Sequence, residues 1–244
     1  MKKLFWILAI LGLVQFAAAQ TGLPKISIGM DKAQSQGDVS TSLQIMAMLT
    51  ILSLAPALMI LTTAFTRIVI ILSFVRTAIG TQSIPPNQVI IGLSLFLTFF
   101  VMGPTWTKVN DTALQPYFAK TINQQQALER ASIPVREFML KNTYEKDLRL
   151  FLNIRKETPK TRKDVSMTTL VPAFVISELK TSFIVGFYIF IPFLIIDLIV
   201  ASGLMSMGMM MLPPSMVSLP AKLLVFVLAD GWGTLVTAIL SGYR

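Results

Sequence analysis

Residues 182–204 read SFIVGFYIFIPFLIIDLIVASGL, and this stretch decides the class of the fold. It is long enough to cross a bilayer as a helix, which takes about 20 predominantly apolar residues. Its only acidic or basic side chain is Asp197, and Pro192 lies inside it. The stretch therefore predicts a membrane-type helix that carries a single carboxylate.

Three other segments share this apolar character, at residues 43–75, 89–102 and 216–240. The first is longer than the roughly 20 residues of one straight crossing, and Pro56 removes a helical hydrogen bond, so we expect a kinked or two-part helix. The second is short, and we expect it to end near residue 104 because a Gly-Pro pair stands there. About four apolar segments thus predict an all-α fold built from helical hairpins.

The composition excludes most alternatives to a membrane protein. Only 14% of the 244 residues are charged, which is too few to cover a soluble domain of this length. Cysteine and histidine are absent, so disulfides, thiolate metal sites and the commonest catalytic base are excluded. The net charge of +9 has no interleaved aromatic pattern that would indicate nucleic-acid binding. We therefore expect no cofactor, no metal site and no enzymatic activity.

The first 42 residues have the organisation of a secretory leader followed by a polar linker. Two lysines precede an apolar run, and Ala17–Ala19 supplies a small-residue cleavage site. We expect residues 1–19 to be a cleavable signal peptide, and the alternative is an uncleaved anchor helix. Residues 20–42 are polar and contain glycines and a proline, so we expect a flexible segment.

A change of composition separates a first hairpin at 43–104 from a second at 182–244. The intervening residues 105–181 hold 13 of the 21 basic residues and 8 of the 12 acidic ones. Apolar residues at helical spacing predict amphipathic helices between 127 and 154, and a charged loop follows at 155–164. We therefore expect a largely soluble, helical middle domain.

Two sequence signals disagree about the side of the membrane on which the middle domain lies. A cleaved leader followed by two crossings places it outside the cytoplasm, whereas its net charge of +5 favours the inside. The positive-inside rule weakens for loops longer than about 60 residues. We therefore follow the leader and expect a periplasmic middle domain.

Residues 203–214 read GLMSMGMMMLPP and contain five of the chain's 14 methionines. Methionine is unbranched and polarizable, so a methionine cluster adapts to many apolar shapes. The flanking glycines and the double proline argue against a regular helix facing lipid. Two interpretations stay open, namely a deformable constriction lining a passage and a methionine-rich turn packed inside the protein.

Ionisable residues interrupt the apolar segments at five positions. Each costs about 2.5–3.5 kcal/mol at a helix centre, so each is expected to face protein or water and to have a partner. For Asp197 we expect a bridge to Lys222 or Arg67, from the same or another subunit, and a proton relay is the alternative. The five positions are Arg67, Arg76, Asp197, Lys222 and Asp230.

Two polar motifs border the apolar segments. Glu178 and Lys180 are two residues apart, so on a helix they point to different neighbours. They suit a subunit interface or, more simply, a solvated helix end. Residues 81–88 form a turn-rich connector with a double proline, which we expect to be a cytoplasm-side hairpin with Asn87 as a helix N-cap.

Six motifs stand in a fixed order between residues 43 and 240. They are FTRIVI at 65–70, GTQSIPPNQV at 80–89, ELKT at 178–181, FLIID at 193–197, MGMMMLPP at 207–214 and DGW at 230–232. In order and spacing these motifs resemble the FliP family of flagellar type III export-gate subunits. The resemblance is weakest over residues 105–165.

The resemblance implies a pore-forming subunit of the flagellar export gate in the bacterial inner membrane, at the flagellar basal body. Family members form a pentameric arrangement that joins FliQ and FliR in a helical pore complex, which FlhA and FlhB complete. Unfolded rod, hook and filament proteins pass through it, and the hairpins pack largely against sister subunits. The family's methionine gasket maps onto Met209, Met210 and Met211, with Met205 and Met207 as neighbours, and its assembly contacts map onto Arg67, Glu178, Lys180 and Asp197.

Three other functions are weighed against this expectation. Subunits of virulence injectisomes share the motifs, but the leader and the longer N-terminal region favour the flagellar branch. A proton-coupled transporter would need inverted repeats, and the first two apolar segments do not resemble the last two. A membrane enzyme would need clustered carboxylates, whereas Asp197 and Asp230 lie on different segments.

Overall fold

The computed structural model describes residues 36–81, 83–209 and 211–243. The predicted signal peptide, most of the predicted flexible segment, and Met210 lie outside the described residues. Within them the all-α prediction is confirmed, because the described chain contains helices and connecting turns but no strand. The α-helices are α1 (Gln36–Leu61), α2 (Phe65–Ile79), α3 (Asn87–Val109), α4 (Gln115–Phe118), α5 (Gln124–Lys141), α6 (Glu145–Arg155), α7 (Met167–Ser206), α8 (Pro214–Leu228) and α9 (Gly231–Ser241).

The described chain divides into two compact units between Ile51 and Leu52. The described part of the first unit is the beginning of α1, whose helix already starts at Gln36. Residues 36–42 are therefore helical, although the sequence predicted a flexible segment there. The second unit runs from Leu52 onwards and contains all the packing described below.

The first apolar segment is a two-part helix, but the prediction placed its break at the wrong residue. Pro56 lies inside α1, and the helix is interrupted at residues 62–64 instead. At this break the Thr62 and Thr63 hydroxyls donate to the carbonyl oxygens of Leu58 (2.9 Å) and Ile60 (3.1 Å). Such local side-chain bonds offer the backbone an alternative to the helical ladder.

The second apolar segment does not end near residue 104 as expected. α3 continues through Pro104 to Val109, and a π-helical turn (Asn110–Leu114) joins it to α4. An internal proline costs about 3 kcal/mol, because it removes a hydrogen bond and crowds the preceding turn. Met102, Thr105 and Val109 are all buried, so packing on both sides of the proline offsets that cost.

The third and fourth segments also differ from their predicted bounds. α7 has 40 residues and runs without a break across the expected boundary between residues 181 and 182. The last segment is divided into α8 and α9, which are bent by 64°. Asp230 stands at the bend with a φ of 45°, in the left-handed region that ends a right-handed helix.

Two hydrophobic cores hold the second unit together, and α7 contributes to both. The first core surrounds α2, whose buried residues recur at helical spacing and pack against α3, α9 and the second half of α7. The second core lies in the middle domain, where α5 and α6 pack against the first turns of α7 around Met139, Leu148 and Phe174. The middle domain is therefore anchored to the second hairpin by a shared helix.

Two to four of the described apolar helical segments could cross a membrane, judged by length and composition. Among the described residues, Asn87–Phe118 and Met167–Ser206 meet the requirement, and counting each bent helix pair as one span raises the number to four. Only 22% and 11% of the apolar windows in those two helices are buried inside the chain. Large apolar side chains such as Phe96, Phe100 and Phe187 are correspondingly exposed.

The close approach of α2 and α7 depends on Gly186. A Cβ at this position would lie 2.5 Å from Cδ2 of Phe74, well inside van der Waals contact. The ring of Phe74 in α2 also makes edge contacts with Phe183 and Phe190, which lie on α7 on either side of Gly186, so it has little room to move. The glycine therefore sets the distance between the two central helices.

We expect Gly186→Ala to destabilise the protein by about 1–3 kcal/mol, the usual cost of overpacking a core. The measurement is the free energy of unfolding of the detergent-solubilised chain. Gly92→Ala is the matched control, since a Cβ there meets nothing within 4 Å, and it should gain up to about 1 kcal/mol of helix propensity. If Gly186→Ala were as stable as Gly92→Ala, the close-approach argument would be wrong.

Candidate functional site

A buried ion pair joins the two central helices. Arg67 in the first turn of α2 faces Glu178 in the fourth turn of α7, and both side chains are almost completely buried. The guanidinium binds the carboxylate through two hydrogen bonds: Nε donates to Oε2 over 3.0 Å, and Nη2 donates to Oε1. This bidentate geometry is the strongest arrangement available to an arginine and a carboxylate.

The end of the chain completes this ion pair. Nη1 of Arg67 donates to the Gly242 carbonyl oxygen over 3.1 Å, and the guanidinium lies 4.0 Å from the ring centroid of Tyr243. The Tyr243 hydroxyl donates to Oε2 of Glu178 over 2.8 Å. Burial, and then the negative charge of Glu178, raises the pKa of Tyr243 well above its usual range, so the hydroxyl stays protonated. We call Arg67, Glu178 and Tyr243 the arginine cluster.

The arginine cluster also contacts the middle domain. Phe138 of α5 stacks on the ring of Tyr243, with centroids 5.9 Å apart and an interplanar angle of 19°. Phe138 makes an edge contact with Phe174 in the middle-domain core as well. The cluster therefore ties together α2, α7, the end of the chain and the middle domain.

The position of Glu178 corrects the interpretation of this residue as part of a solvated helix end. It lies in the interior of α7 and is fully buried, so it does not occupy a solvated helix end. Its partners Arg67 and Tyr243 belong to the same chain, so its carboxylate is already used within one subunit. A buried ion pair of this kind requires good geometry and full hydrogen bonding to be tolerated.

Lys180 contacts a different part of the chain from Glu178, as the two-residue spacing predicted. Its Nζ lies 3.3 Å from Oδ1 of Asp147 in α6, and its side chain is 45% exposed. Asp147 also accepts a hydrogen bond from Ser177 over 2.9 Å. These contacts fasten the middle domain to α7.

Asp197 pairs with Lys222, one of its two expected partners. Lys222 Nζ donates to Oδ2 of Asp197 over 2.6 Å, and Ser218, one turn earlier on α8, donates to Oδ1. Gly80, the left-handed C-cap of α2, lies beside the lysine, since a Cβ there would be 3.8 Å from Nζ. A cation is favoured at that position because the carbonyl end of a helix carries partial negative charge.

Arg76 has a partner, as expected, but the predicted N-cap role of Asn87 and the expected partner of Asp230 are not found in the described part of the chain. Arg76 donates to the side-chain oxygen of Asn87 over 2.6 Å, so Asn87 anchors the connector as an acceptor rather than as the N-cap, which is Pro86. Asp230 is exposed at the bend between α8 and α9, and its carboxylate forms no ion pair with any described residue.

The methionine-rich segment is a turn with a defined helix ending. Gly208 has a φ of 75°, and the N–H groups of Gly208 and Met209 donate to the carbonyl oxygens of Met205 (3.1 Å) and Leu204 (3.0 Å). This pair of bonds is the Schellman ending, which needs a left-handed residue that glycine supplies without strain. Pro213 and Pro214 then start α8.

The methionines of this turn are exposed, which contradicts packing inside the chain. Four predicted gasket residues are described, and Met210 lies outside the described residues. Two further exposed apolar residues, Leu212 in the turn and Met216 in the first turn of α8, were not among the predicted gasket residues, although both lie within a few residues of the cluster. The exposed fractions are 57% for Met205, 72% for Met207, 40% for Met209, 100% for Met211, 43% for Leu212 and 74% for Met216.

Three residues that complete the charged contacts could not be found from the sequence. Tyr243, Ser218 and Asp147 have ordinary neighbours in the chain, and nothing in their spacing points to Glu178, Asp197 or Lys180. In the described residues no three Asp or Glu side chains come together as a possible metal site. Most of the ionisable residues inside the apolar helices therefore form ion pairs or hydrogen bonds that hold helices of the chain together.

These features define an all-α protein of the membrane type, with charged contacts between its helices and an exposed methionine turn. The model of the FliP family matches residues 48–239. The chain belongs to the FliP family.

Three relatives illustrate the similarity, and each bears the name flagellar biosynthetic protein FliP. The protein of Bacillus subtilis (strain 168) is 56% identical over 207 residues, covering 84% of this chain and 94% of the relative. That of Pectobacterium carotovorum subsp. carotovorum is 52% identical, covering 83% and 79%. That of Aquifex aeolicus (strain VF5) is 47% identical, covering 86% and 89%. The family and the apolar helices fit a membrane-embedded protein of flagellar biosynthesis.

Proposed function

We propose that this chain is a pore-forming subunit of the flagellar type III export gate, which passes unfolded rod, hook and filament proteins across the bacterial inner membrane. The observation that carries the proposal is the large uncovered apolar face of α3 and α7 in a chain of the FliP family. A subunit that leaves so much apolar surface uncovered must place it against lipid or other subunits.

Asp197 favours neighbouring subunits over lipid along the second half of α7. Its side chain is 33% exposed although it pairs with Lys222. A carboxylate facing hydrocarbon costs about 2.5–3.5 kcal/mol. Protein or water therefore covers this part of the helix in the assembled state. In this proposal the cover is provided by other copies of the chain, in a pentameric arrangement, together with FliQ and FliR.

The exposed methionine turn supports the role of a gate. Met209, Met210 and Met211, with Met205 and Met207 beside them, form the seal in this proposal. A ring of flexible apolar side chains closes a narrow passage by excluding water, and it yields when a polypeptide pushes through. FlhA and FlhB complete the gate, and the middle domain lies on the periplasmic side.

The test of assembly is extraction in mild detergent followed by measurement of the mass and composition of the complex. We expect a species several times heavier than one subunit of at most 27.0 kDa, with FliQ and FliR in it. Leu198→Gln, on the uncovered face of α7, should reduce the complex without reducing the amount of chain in the membrane. Leu128→Gln is the matched control, since the two leucines are 68% and 66% exposed. A lone subunit from the unaltered protein would contradict the proposal.

A further inference from the structure

A basic loop surrounds the N-terminal end of α7. It consists of Arg155, the last residue of α6, and of Lys156, Lys160 and Lys163 in the connection to α7. All four side chains are exposed, and we call them the basic loop. Within the described part of the chain none of them lies within 4 Å of a carboxylate, whereas five other cations do. Apart from the longer-range attraction of Arg155 to Glu157, the four positive charges are therefore available to a partner.

The acidic residues of the same segment are occupied elsewhere. Glu157 accepts hydrogen bonds from the Ser166 N–H (2.8 Å), from the Ser166 hydroxyl (2.9 Å) and from Thr169, at the start of α7. These bonds, the one from Thr169 first, lower the pKa of Glu157 and keep it ionised at the helix N-terminus. Asp164 accepts from the N–H (3.0 Å) and the hydroxyl (2.9 Å) of Thr161. Neither carboxylate neutralises the lysines.

A groove of about 300 Å³ opens beside the basic loop. Leu152, Pro159 and Val165 are among the apolar residues that line it, and Lys160 and Arg162 stand on its wall. Glu145 also lines the groove, but its carboxylate is paired with Arg149 over 2.9 Å. Arg162 is already held by the carbonyl oxygens of Leu140 and Thr143, each 2.8 Å away, so its role is structural. An apolar lining with lysine beside it suits a peptide that carries an apolar side chain among acidic ones.

The distance from the apolar part of α7 argues against a bilayer as the partner. The segment that carries the basic loop is held at Ser166 by Glu157, and the long apolar stretch of the same helix begins near Ser182. At about 1.5 Å per residue these points are ~24 Å apart. Charges act over a screening length of about 8 Å at physiological salt, so the basic loop lies too far away to bind the headgroups around the helix.

We propose that the basic loop and its groove bind an acidic segment of a protein partner, one that carries an apolar side chain among Asp and Glu residues. The partner approaches the middle domain at the end of α7 that is remote from the apolar stretch. This binding is independent of the proposed export function, because it is a property of the single chain.

The test uses the full chain in detergent and a fluorescent peptide of alternating Asp and Glu with one central leucine. Binding is followed by fluorescence anisotropy at several salt concentrations. Arg155→Glu combined with Lys160→Glu and Lys163→Glu should weaken binding about tenfold, since three exposed charge contacts are reversed. Lys120→Glu with Arg130→Glu and Lys141→Glu is the control, because it changes the net charge equally at other exposed positions.

Three outcomes would overturn the proposal. Equal weakening by both triple variants would show a response to net charge alone. A peptide whose central leucine is replaced by serine should bind more weakly, and unchanged affinity would exclude the groove. Vesicles containing phosphatidylglycerol are the third arm, and binding to them that depends on the basic loop and exceeds binding to the peptide would identify a membrane as the partner.

Discussion

Glu178→Gln is expected to destabilise the detergent-solubilised chain by about 3–5 kcal/mol. The substitution keeps the shape of the side chain and removes its charge, so the buried Arg67 guanidinium loses its counter-charge. The Tyr243 hydroxyl and the guanidinium would then compete for a neutral amide oxygen. The measurement is the free energy of unfolding, obtained by titration with a denaturing detergent and followed by circular dichroism.

Two further variants separate a buried-charge effect from a general loss of packing. Glu145→Gln is the matched control, because Glu145 pairs with Arg149 at 2.9 Å while both side chains are more than half exposed. It should change stability by no more than about 0.5 kcal/mol. The double variant Arg67→Met with Glu178→Leu should recover most of the loss, because no unpaired charge remains. A double variant as unstable as Glu178→Gln would show that the ion pair is needed for a reason other than charge compensation.

Replacing Met209, Met210 and Met211 together by alanine is expected to leave assembly intact and to raise the leak of small ions on the order of tenfold. Neither described methionine among the three is buried in the chain, since Met211 is fully exposed and Met209 is 40% exposed. Their truncation should therefore have little effect on folding, but it widens any passage that they close. The measurement is ion flux through the assembled complex in liposomes.

The control for the leak is a second set of exposed methionines far away in sequence. Met46, Met48 and Met59 on α1 are 64%, 70% and 60% exposed, so their replacement by alanine removes similar side chains from another surface. We expect no added leak from that variant. A tight gate in the Met209–Met211 variant would exclude the gasket role, and so would an equal leak in both.

The helical class and the apolar segments were predictable because their signals are local. A run such as residues 182–204 needs no partner to show that it is long and apolar enough for a membrane-type helix. The bounds were less predictable, because packing decides whether a helix continues. Pro104 was expected to end a helix, but the buried residues on both sides of it hold α3 together.

The sequence predicted which residues belong to the candidate site, but it did not predict which residues they contact. Arg67, Glu178, Asp197 and Lys222 stand out in the sequence because charge in an apolar segment is costly. Sequence reasoning left Asp197 with two possible partners, and the structure pairs it with Lys222. It assigned Glu178 to a solvated end or an interface, whereas the carboxylate is buried within the chain.

By itself, the sequence determined which stretches leave water, where charge interrupts them, and that a cluster of methionines interrupts the last hairpin. Only the tertiary structure decided that Arg67 meets Glu178, 111 residues away, and that Tyr243 completes the cluster. The reason is physical: hydrophobicity and helical period are properties of neighbouring residues, whereas the partner of a buried charge depends on which distant helices pack together. The stretch at 182–204 is therefore half of a 40-residue helix, whose other half belongs to the middle domain.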